Sequence, residues 1–319
     1  QSDDGAWKDC YQTACIAEAF CERDPEPLRT QVDYPGYYGI LFEKAISSWW
    51  CGLCDEARDM LQDLLDNYDL NETYRAAVID NLKRLTKDNN VGLPKLNWYN
   101  KKDHKKLRHN FRNSKNIEKN YAESYQDMFV LSMLNGKKNG TYLEIGAGNS
   151  FYGNNTALME VNYDWKGVAI DIDENFVNAH NNERKHTCVL KDALKINYER
   201  FLLGLDMPND IDYLQLDCDP PEVTYKILLN IPFETYRFAV ITYEHDYYCD
   251  DTKSFHIKSR KYLGSFGYKL IVDNISPDDD RPYEDWWVHP DLVDQKIVDK
   301  MLCVDGKTKK AEKYMFNSL

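Results

Sequence analysis

The feature that most limits how this chain can fold is the run from Thr141 to Ser150, TYLEIGAGNS. Tyr142, Leu143 and Ile145 form a short apolar run of the kind that enters a buried strand, and Gly146 and Gly148 follow at once. Two glycines at this spacing let the backbone turn tightly and approach a ligand where a Cβ would collide. The segment therefore reads as a strand that ends in a ligand cradle.

The neighbouring residues narrow the ligand. In a dinucleotide-binding fingerprint a third glycine follows at the position held here by Phe151, and its side chain opposes the close helix approach that a pyrophosphate requires. Glu144, two residues before the first glycine, repels a pyrophosphate but accepts hydrogen bonds from a cationic, amine-bearing ligand such as S-adenosylmethionine. A second apolar run, Trp165 to Ile170, ends at Asp171, 25 positions after Gly146, where a carboxylate can accept both hydroxyls of a ribose. A third short strand, Thr187 to Leu190, leads to Lys191 and Asp192, and a carboxylate there can take the exocyclic amine of adenine, although an Asp after a strand is ordinarily a turn residue.

Blocks in this order carry a family resemblance: SYQDMFV at Ser124, YLEIGAG at Tyr142, GNNTALME at Gly153, WKGVAIDID at Trp165, IDYLQLDCDPPE at Ile211, VITYEH at Val240 and DWWVHPDLV at Asp285. The segment from Tyr121 to about Val293 resembles the FkbM-type branch of class I methyltransferases. The resemblance implies an α/β, Rossmann-like class I methyltransferase sheet, S-adenosylmethionine as methyl donor, and O-methylation of a hydroxyl on a sugar or polyketide. It implies cofactor contacts from Gln126, Glu144, Gly146, Gly148, Asn155, Thr156, Asp171, Ile172, Asp192, Ala193 and Asp217. Asp217-Cys218-Asp219-Pro220-Pro221-Glu222 departs from the pattern, since relatives carry a glycine between the acidic residues and the next helix.

Open α/β sheets bind ligands beyond the carboxyl ends of their strands. Here Tyr213 to Leu216 delivers Asp217 and Asp219, and Phe238 to Tyr243 delivers Glu244, His245 and Asp246. Methyl transfer from a sulfonium needs positioning and removal of the hydroxyl proton. His245 is the expected base, with Asp219 and Glu244 as its catalytic neighbours. Asp217, Asp219 and Glu244 are hard oxygen donors suited to Mg²⁺ or Mn²⁺, with Asp217 alternatively on the cofactor amine. Asp285, Trp287 and His289 suit a saccharide or glycan acceptor, because an indole face stacks on a sugar ring within a polar rim; paired aromatics are otherwise core. The acidic turn Asp278 to Asp280 reads as a solvated loop.

Rival functions remain. A nicotinamide dehydrogenase lacks its third glycine. A glycosyltransferase can use Asp217-x-Asp219 or Asp171-x-Asp173 as a metal motif but leaves Glu144-x-Gly-x-Gly without a purpose, and an inactive scaffold has no use for Asp219, Glu244 and His245.

Upstream of residue 87 the pattern is helical. Trp7, Cys10, Ala14 and Ala17, then Tyr38, Phe42, Ile46 and Trp49, then Ala57, Met60, Leu61, Leu64, Leu65 and Tyr68, and after an Asn71 cap Tyr74, Val78, Leu82 and Leu85 form apolar stripes at three-and-four spacing. With turns around Gly52 and Asp69 this is similar to tetratricopeptide-type helical pairs, a scaffold that holds partners such as other glycan-assembly domains. Residues 87–120 read as a basic, solvated linker carrying Lys101, Lys102, Lys105, Lys106, Arg108, Arg112, Lys115 and Lys119. The division is thus 1–86 helical, 87–120 linker and 121–319 methyltransferase-like.

A net charge of −13 opposes nonspecific binding of nucleic acid, which rewards cationic surfaces. No apolar run reaches a membrane span, and the start has no basic segment before an apolar one. The nine cysteines, at 10, 15, 21, 51, 54, 188, 218, 249 and 303, are odd in number and suit reduced thiols in a cytoplasmic protein. Cys51-x-x-Cys54 follows a helical run and so reads as an interhelical turn, with a redox or zinc role the lesser alternative.

Overall fold

The computed structural model describes residues 7–20, 36–51, 53–87, 101–248, 254–277 and 281–317. Gly52, Cys21, Cys249 and the acidic run Asp278 to Asp280 lie outside the described residues. The chain divides into two compact units, 1–95 and 96–319. Among the described residues no helix is long and apolar enough to cross a membrane.

The first unit contains helices α1 (Trp7–Phe20), α2 (Tyr37–Trp50), α3 (Cys54–Asn67) and α4 (Glu72–Lys87), each packed on the next. The stripes explain the packing: Leu41, Ala45 and Trp49 of α2 meet Ala57, Leu61 and Leu64 of α3 and Val78 and Leu82 of α4 in one core. Asn71 caps α4 by accepting from the Tyr74 N–H at 2.9 Å. Cys51 closes α2 and Cys54 opens α3, so the C-x-x-C joins two helices and lacks the preceding strand of a redox motif.

The second unit is a Rossmann-like α/β sheet. Its strands are β1 (Thr141–Ile145), β2 (Lys166–Asp171), β3 (Cys188–Leu190), β4 (Asp210–Leu216), β5 (Arg237–Glu244), β6 (Lys269–Ser276), β7 (Glu284–Val288) and β8 (Lys309–Lys310), in the order β3-β2-β1-β4-β5-β7-β6-β8. β1 to β5 pair in parallel, whereas β7 lies antiparallel between β5 and β6. Successive side chains of β1 serve opposite faces: Tyr142 enters one apolar cluster, with Trp286 and Met128, and Leu143 the other, with Leu214 and Ile227. Covering both faces are α5 (Gln126–Met133), α6 (Ala157–Tyr163), α7 (Glu174–Glu183), α8 (Tyr198–Gly204), α9 (Pro221–Asn230), α10 (Ser254–Ser265), α11 (Gln295–Met301) and α12 (Ala311–Met315).

The basic segment differs from a solvated connector where it is described. Leu107, Phe111 and Ile117 are buried in the second unit's core, and Arg108 donates from Nε to the Tyr314 carbonyl at 2.8 Å. Lys105, Lys106, Lys115 and Lys119 are exposed while the interleaved apolar residues anchor the segment, a pattern that charge counting overlooks.

Candidate active site

The chain reverses its direction of winding between β1 and β4, and in open α/β sheets a ligand crevice is expected there, at the carboxyl edge. Gly146 has φ +82°, and a Cβ there would run into the carbonyl oxygen of Asp217 at the tip of β4. The glycine is thus required both by its left-handed backbone and by the close passage of two strand ends. Gly148, with φ +56°, donates its N–H to Asp171 Oδ2 at 2.8 Å, and Asp173 donates to Oδ1 at 2.8 Å. Two backbone donors fix the half-buried Asp171 carboxylate at the end of β2 and leave each oxygen a lone pair for a further donor. Ile172 beside it is 73% exposed, an apolar surface at the mouth of the crevice.

Other expected cofactor residues are placed differently. Glu144 is buried behind the loop, where its Oε2 accepts from Thr156 Oγ1 at 2.8 Å. Burial pushes its carboxyl up to about 7, against the opposing pull of Arg184. Asn155 is also buried, and its Oδ1 has no partner, an acceptor that a ligand donor would satisfy. Gln126 is tied on both sides, accepting from the Ser124 N–H at 2.8 Å and donating to the Tyr283 hydroxyl at 2.7 Å. Asp192 caps its own turn, accepting from Leu194 N–H at 3.0 Å and pairing with Lys195 at 2.9 Å, and Ala193 directs its carbonyl to the Tyr198 hydroxyl. Of the expected cofactor residues, Gly148 and Asp171 are joined directly and Gly146 packs on the Asp217 carbonyl, whereas Glu144, Gln126 and Asp192 are engaged within the chain.

Sequence reasoning missed the hub of that support. Arg184, at the end of α7, is buried and donates from Nε and Nη2 to Glu160 Oε2 at 3.0 and 2.8 Å, from Nη1 to the Ser150 carbonyl at 2.8 Å and Asn154 Oδ1 at 3.1 Å, and from Nη2 to Thr156 Oγ1 at 3.1 Å. One guanidinium thereby holds the loop after β1 and α6 together. Glu160 stands within the quoted GNNTALME block, but no local pattern marks Arg184 as its partner, because the pairing spans 24 positions.

At the tips of β4 and β5 the carboxylates of Asp217, Glu244 and Asp246 crowd one another. Burial comes first in raising all three, and mutual repulsion adds to it at Glu244, whose carboxyl lies well above the usual range. Asp219 is exposed. The expected Mg²⁺ or Mn²⁺ trio, Asp217, Asp219 and Glu244, does not gather: among the described residues, the group of three whose ligand atoms all lie within 4.8 Å of one another is His245, His256 and Asp285. That group does not fit a metal either. His245 Nδ1 accepts from the Tyr247 N–H at 3.1 Å, so the ring proton sits on Nε2, which stands 3.3 Å from Asp285 Oδ1. Arg260 grips Asp285 with Nε and Nη2, both at 2.7 Å, and holds a positive charge where an ion would have to enter. Although burial alone would raise it, His245 and Arg260 hold the Asp285 carboxyl well below the usual range.

This geometry corrects two further expectations. His245 is fully buried with both nitrogens turned inward, so it offers none to a hydroxyl in the crevice. The saccharide trio is also dispersed. Because β7 runs antiparallel to β5, Asp285 pairs with Tyr243 at the carboxyl edge, while His289 donates its N–H to the Ala239 carbonyl near the opposite edge. Trp287 lies inside the second apolar cluster, and Trp286 stacks on Phe129 at 4.4 Å, so both indoles are core.

No family model matches the chain, and no curated protein matches it. Solved structures similar to it include a SAM-dependent methyltransferase from Aquifex aeolicus, 16% identical, with a TM-score of 0.37 over 60% of this chain and 99% of that one. Fibrillarin from Aeropyrum pernix with natively bound S-adenosyl-L-methionine is 13% identical, with a TM-score of 0.37 over 52% of this chain and 76% of that one. The N-methyltransferase NodS from Bradyrhizobium japonicum is 11% identical, with a TM-score of 0.35 over 53% and 96%.

Proposed function

We propose that this chain is an S-adenosylmethionine-dependent methyltransferase of the FkbM type that methylates a hydroxyl of a saccharide or glycan. The observation that carries the cofactor is the Gly148 N–H bond to Asp171, which ties the glycine cradle to a carboxylate with lone pairs left for a ribose. When bound, the cofactor would supply an electrophilic methyl on a sulfonium. The acceptor hydroxyl would take that methyl and give up its proton to a strand-tip carboxylate. Glu244 suits that task better than His245, since burial raises its carboxyl and makes it a stronger base than an ordinary carboxylate, whereas His245 is fully buried. No step is routed through a divalent cation. The helical unit acts as a scaffold toward other glycan-assembly domains, in a reducing cytoplasm that keeps the cysteines as thiols.

Calorimetric titration with S-adenosylhomocysteine, NAD and UDP-sugars separates this reading from a dehydrogenase or a glycosyltransferase, and only the first ligand is expected to bind. Asp171→Ala should weaken it tenfold or more, because each lost charge-assisted hydrogen bond contributes about 1.5–3 kcal/mol. Unchanged affinity in that variant would remove the ribose assignment.

A further inference from the structure

At the amino edge of the sheet, away from the strand tips that carry Gly146, Asp171 and Asp217, the second unit holds a cleft of about 610 Å³. That size falls within the range of small-molecule sites, about 300–1,000 Å³. The cleft is lined by Arg112 and Asn113, by the end of α5 and the turn that follows it, by Asp212 near the start of β4, and by residues 292–294 with Ile297. The turn before β1 is fixed within the chain. Trp165 donates from Nε1 to the Lys137 carbonyl at 2.7 Å, and Gly136 donates its N–H to the Leu131 carbonyl at 2.8 Å. Gly136, with φ +64°, also passes so close to the Arg112 carbonyl that a Cβ would collide with it. A cleft whose walls are already held avoids much of the ordering cost of binding.

The lining combines apolar surface with unpaired positive charge. Leu134, Leu292 and Val293 are half-buried against the apolar cluster that holds Tyr142, and they leave apolar surface in the cleft. Arg112, Lys137 and Lys138 line it as well, in a chain whose net charge is −13. Lys137 is neutralised by Asp212 at 2.6 Å, and the other Asp212 oxygen accepts from the Thr141 N–H at 2.9 Å. Arg112 and Lys138 differ: among the described residues neither the guanidinium nor the ammonium forms an ion pair or a hydrogen bond. The remaining carboxylate, Asp294, caps α11 by accepting from the Lys296 N–H at 2.8 Å. Two cations against one carboxylate leave the cleft with positive charge to be met by a ligand, and a guanidinium fork matches the oxygens of a phosphate or carboxylate. We propose that this cleft binds a small amphiphile, with its apolar body on Leu134, Leu292 and Val293 and its phosphate or carboxylate head on Arg112, Lys138 adding to the attraction. The site is separate from the crevice at the carboxyl edge and does not depend on the methyltransferase reading.

The test is calorimetric titration of the full chain with hexyl phosphate, hexanoate, hexanol and inorganic phosphate. At least one of the two amphiphilic anions is expected to bind about tenfold or more tighter than hexanol and than inorganic phosphate, and the tighter of the two identifies the head group. Arg112→Gln should weaken that anion about tenfold and Lys138→Gln by a smaller factor, both side chains being exposed and outside the core. Val293→Trp, which narrows the cleft, should weaken it too. Hexanol that binds as tightly as the anions would leave the cations without a role, and inorganic phosphate that does so would leave the apolar surface without one; either result overturns the proposal, as does a lack of binding by both anions. Affinity that survives both Arg112→Gln and Val293→Trp, or that is lost once the chain is saturated with S-adenosylhomocysteine, would place the anion elsewhere and overturn it equally.

Discussion

One group of carboxylates lies behind the glycine loop that follows β1 and another at the tips of the neighbouring β4 and of β5, and the chain treats them in opposite ways. Behind the glycine loop, Glu160 and Glu144 share Arg184, which also bonds Ser150, Asn154 and Thr156. At the tips of β4 and β5, Asp217, Glu244 and Asp246 face one another with no such partner among the described residues. Charge that is closed within the chain fixes the cradle. The carboxyls without a cation are instead held above their ordinary range, so their ionisation costs stability.

Breaking the closed group should have the largest effect. Arg184→Met leaves Glu160 buried without its partner and is expected to lower stability by about 3–5 kcal/mol, read from the midpoint of denaturant unfolding. Adding Glu160→Gln should restore part of that loss, and a single variant within about 0.5 kcal/mol of the parent would mean the two groups do not differ in kind.

The pH dependence of Glu144 comes next. Its carboxyl is raised from an ordinary 4.5 to about 7, first by burial, so the folded state binds more protons than the unfolded state between those values. Stability contributed by this group is therefore full below about 4.5, falls as pH rises to about 7, and is level above; the drop amounts to about 3 kcal/mol. Glu144→Gln should flatten that part of the profile. A variant whose profile parallels the parent's would show that Arg184 offsets the whole cost of burial.

Relieving the open group should act in the reverse direction. Glu244→Gln removes a carboxyl whose ionisation burial and its neighbours oppose, and the ligand-free protein is expected to become more stable near neutral pH by about 1 kcal/mol, a small rise in Tm. Destabilisation instead would place an uncharted cation at the strand tips. The same substitution should lower methyl transfer with little change in affinity for S-adenosylhomocysteine.

Much of this was legible locally. The apolar run of Tyr142, Leu143 and Ile145, the two glycines after it, and the second strand ending at Asp171 specify a strand, its glycine loop and the carboxylate that bonds it, because backbone freedom and strand alternation are properties of neighbouring residues. The helical stripes of the first unit were readable for the same reason, as residues three and four apart share a helix face. What tertiary structure alone decided is which charges meet. The hydrogen bond between Gln126 and Tyr283 spans 157 positions, the grip of Arg260 on Asp285 spans 25, and the antiparallel insertion of β7 sends Asp285 and His289 to opposite edges although they are four residues apart. A histidine after a strand looks the same in sequence whether it faces a crevice or, as His245 does, the interior, since burial and ion pairing depend on distances in space that the order of residues does not encode.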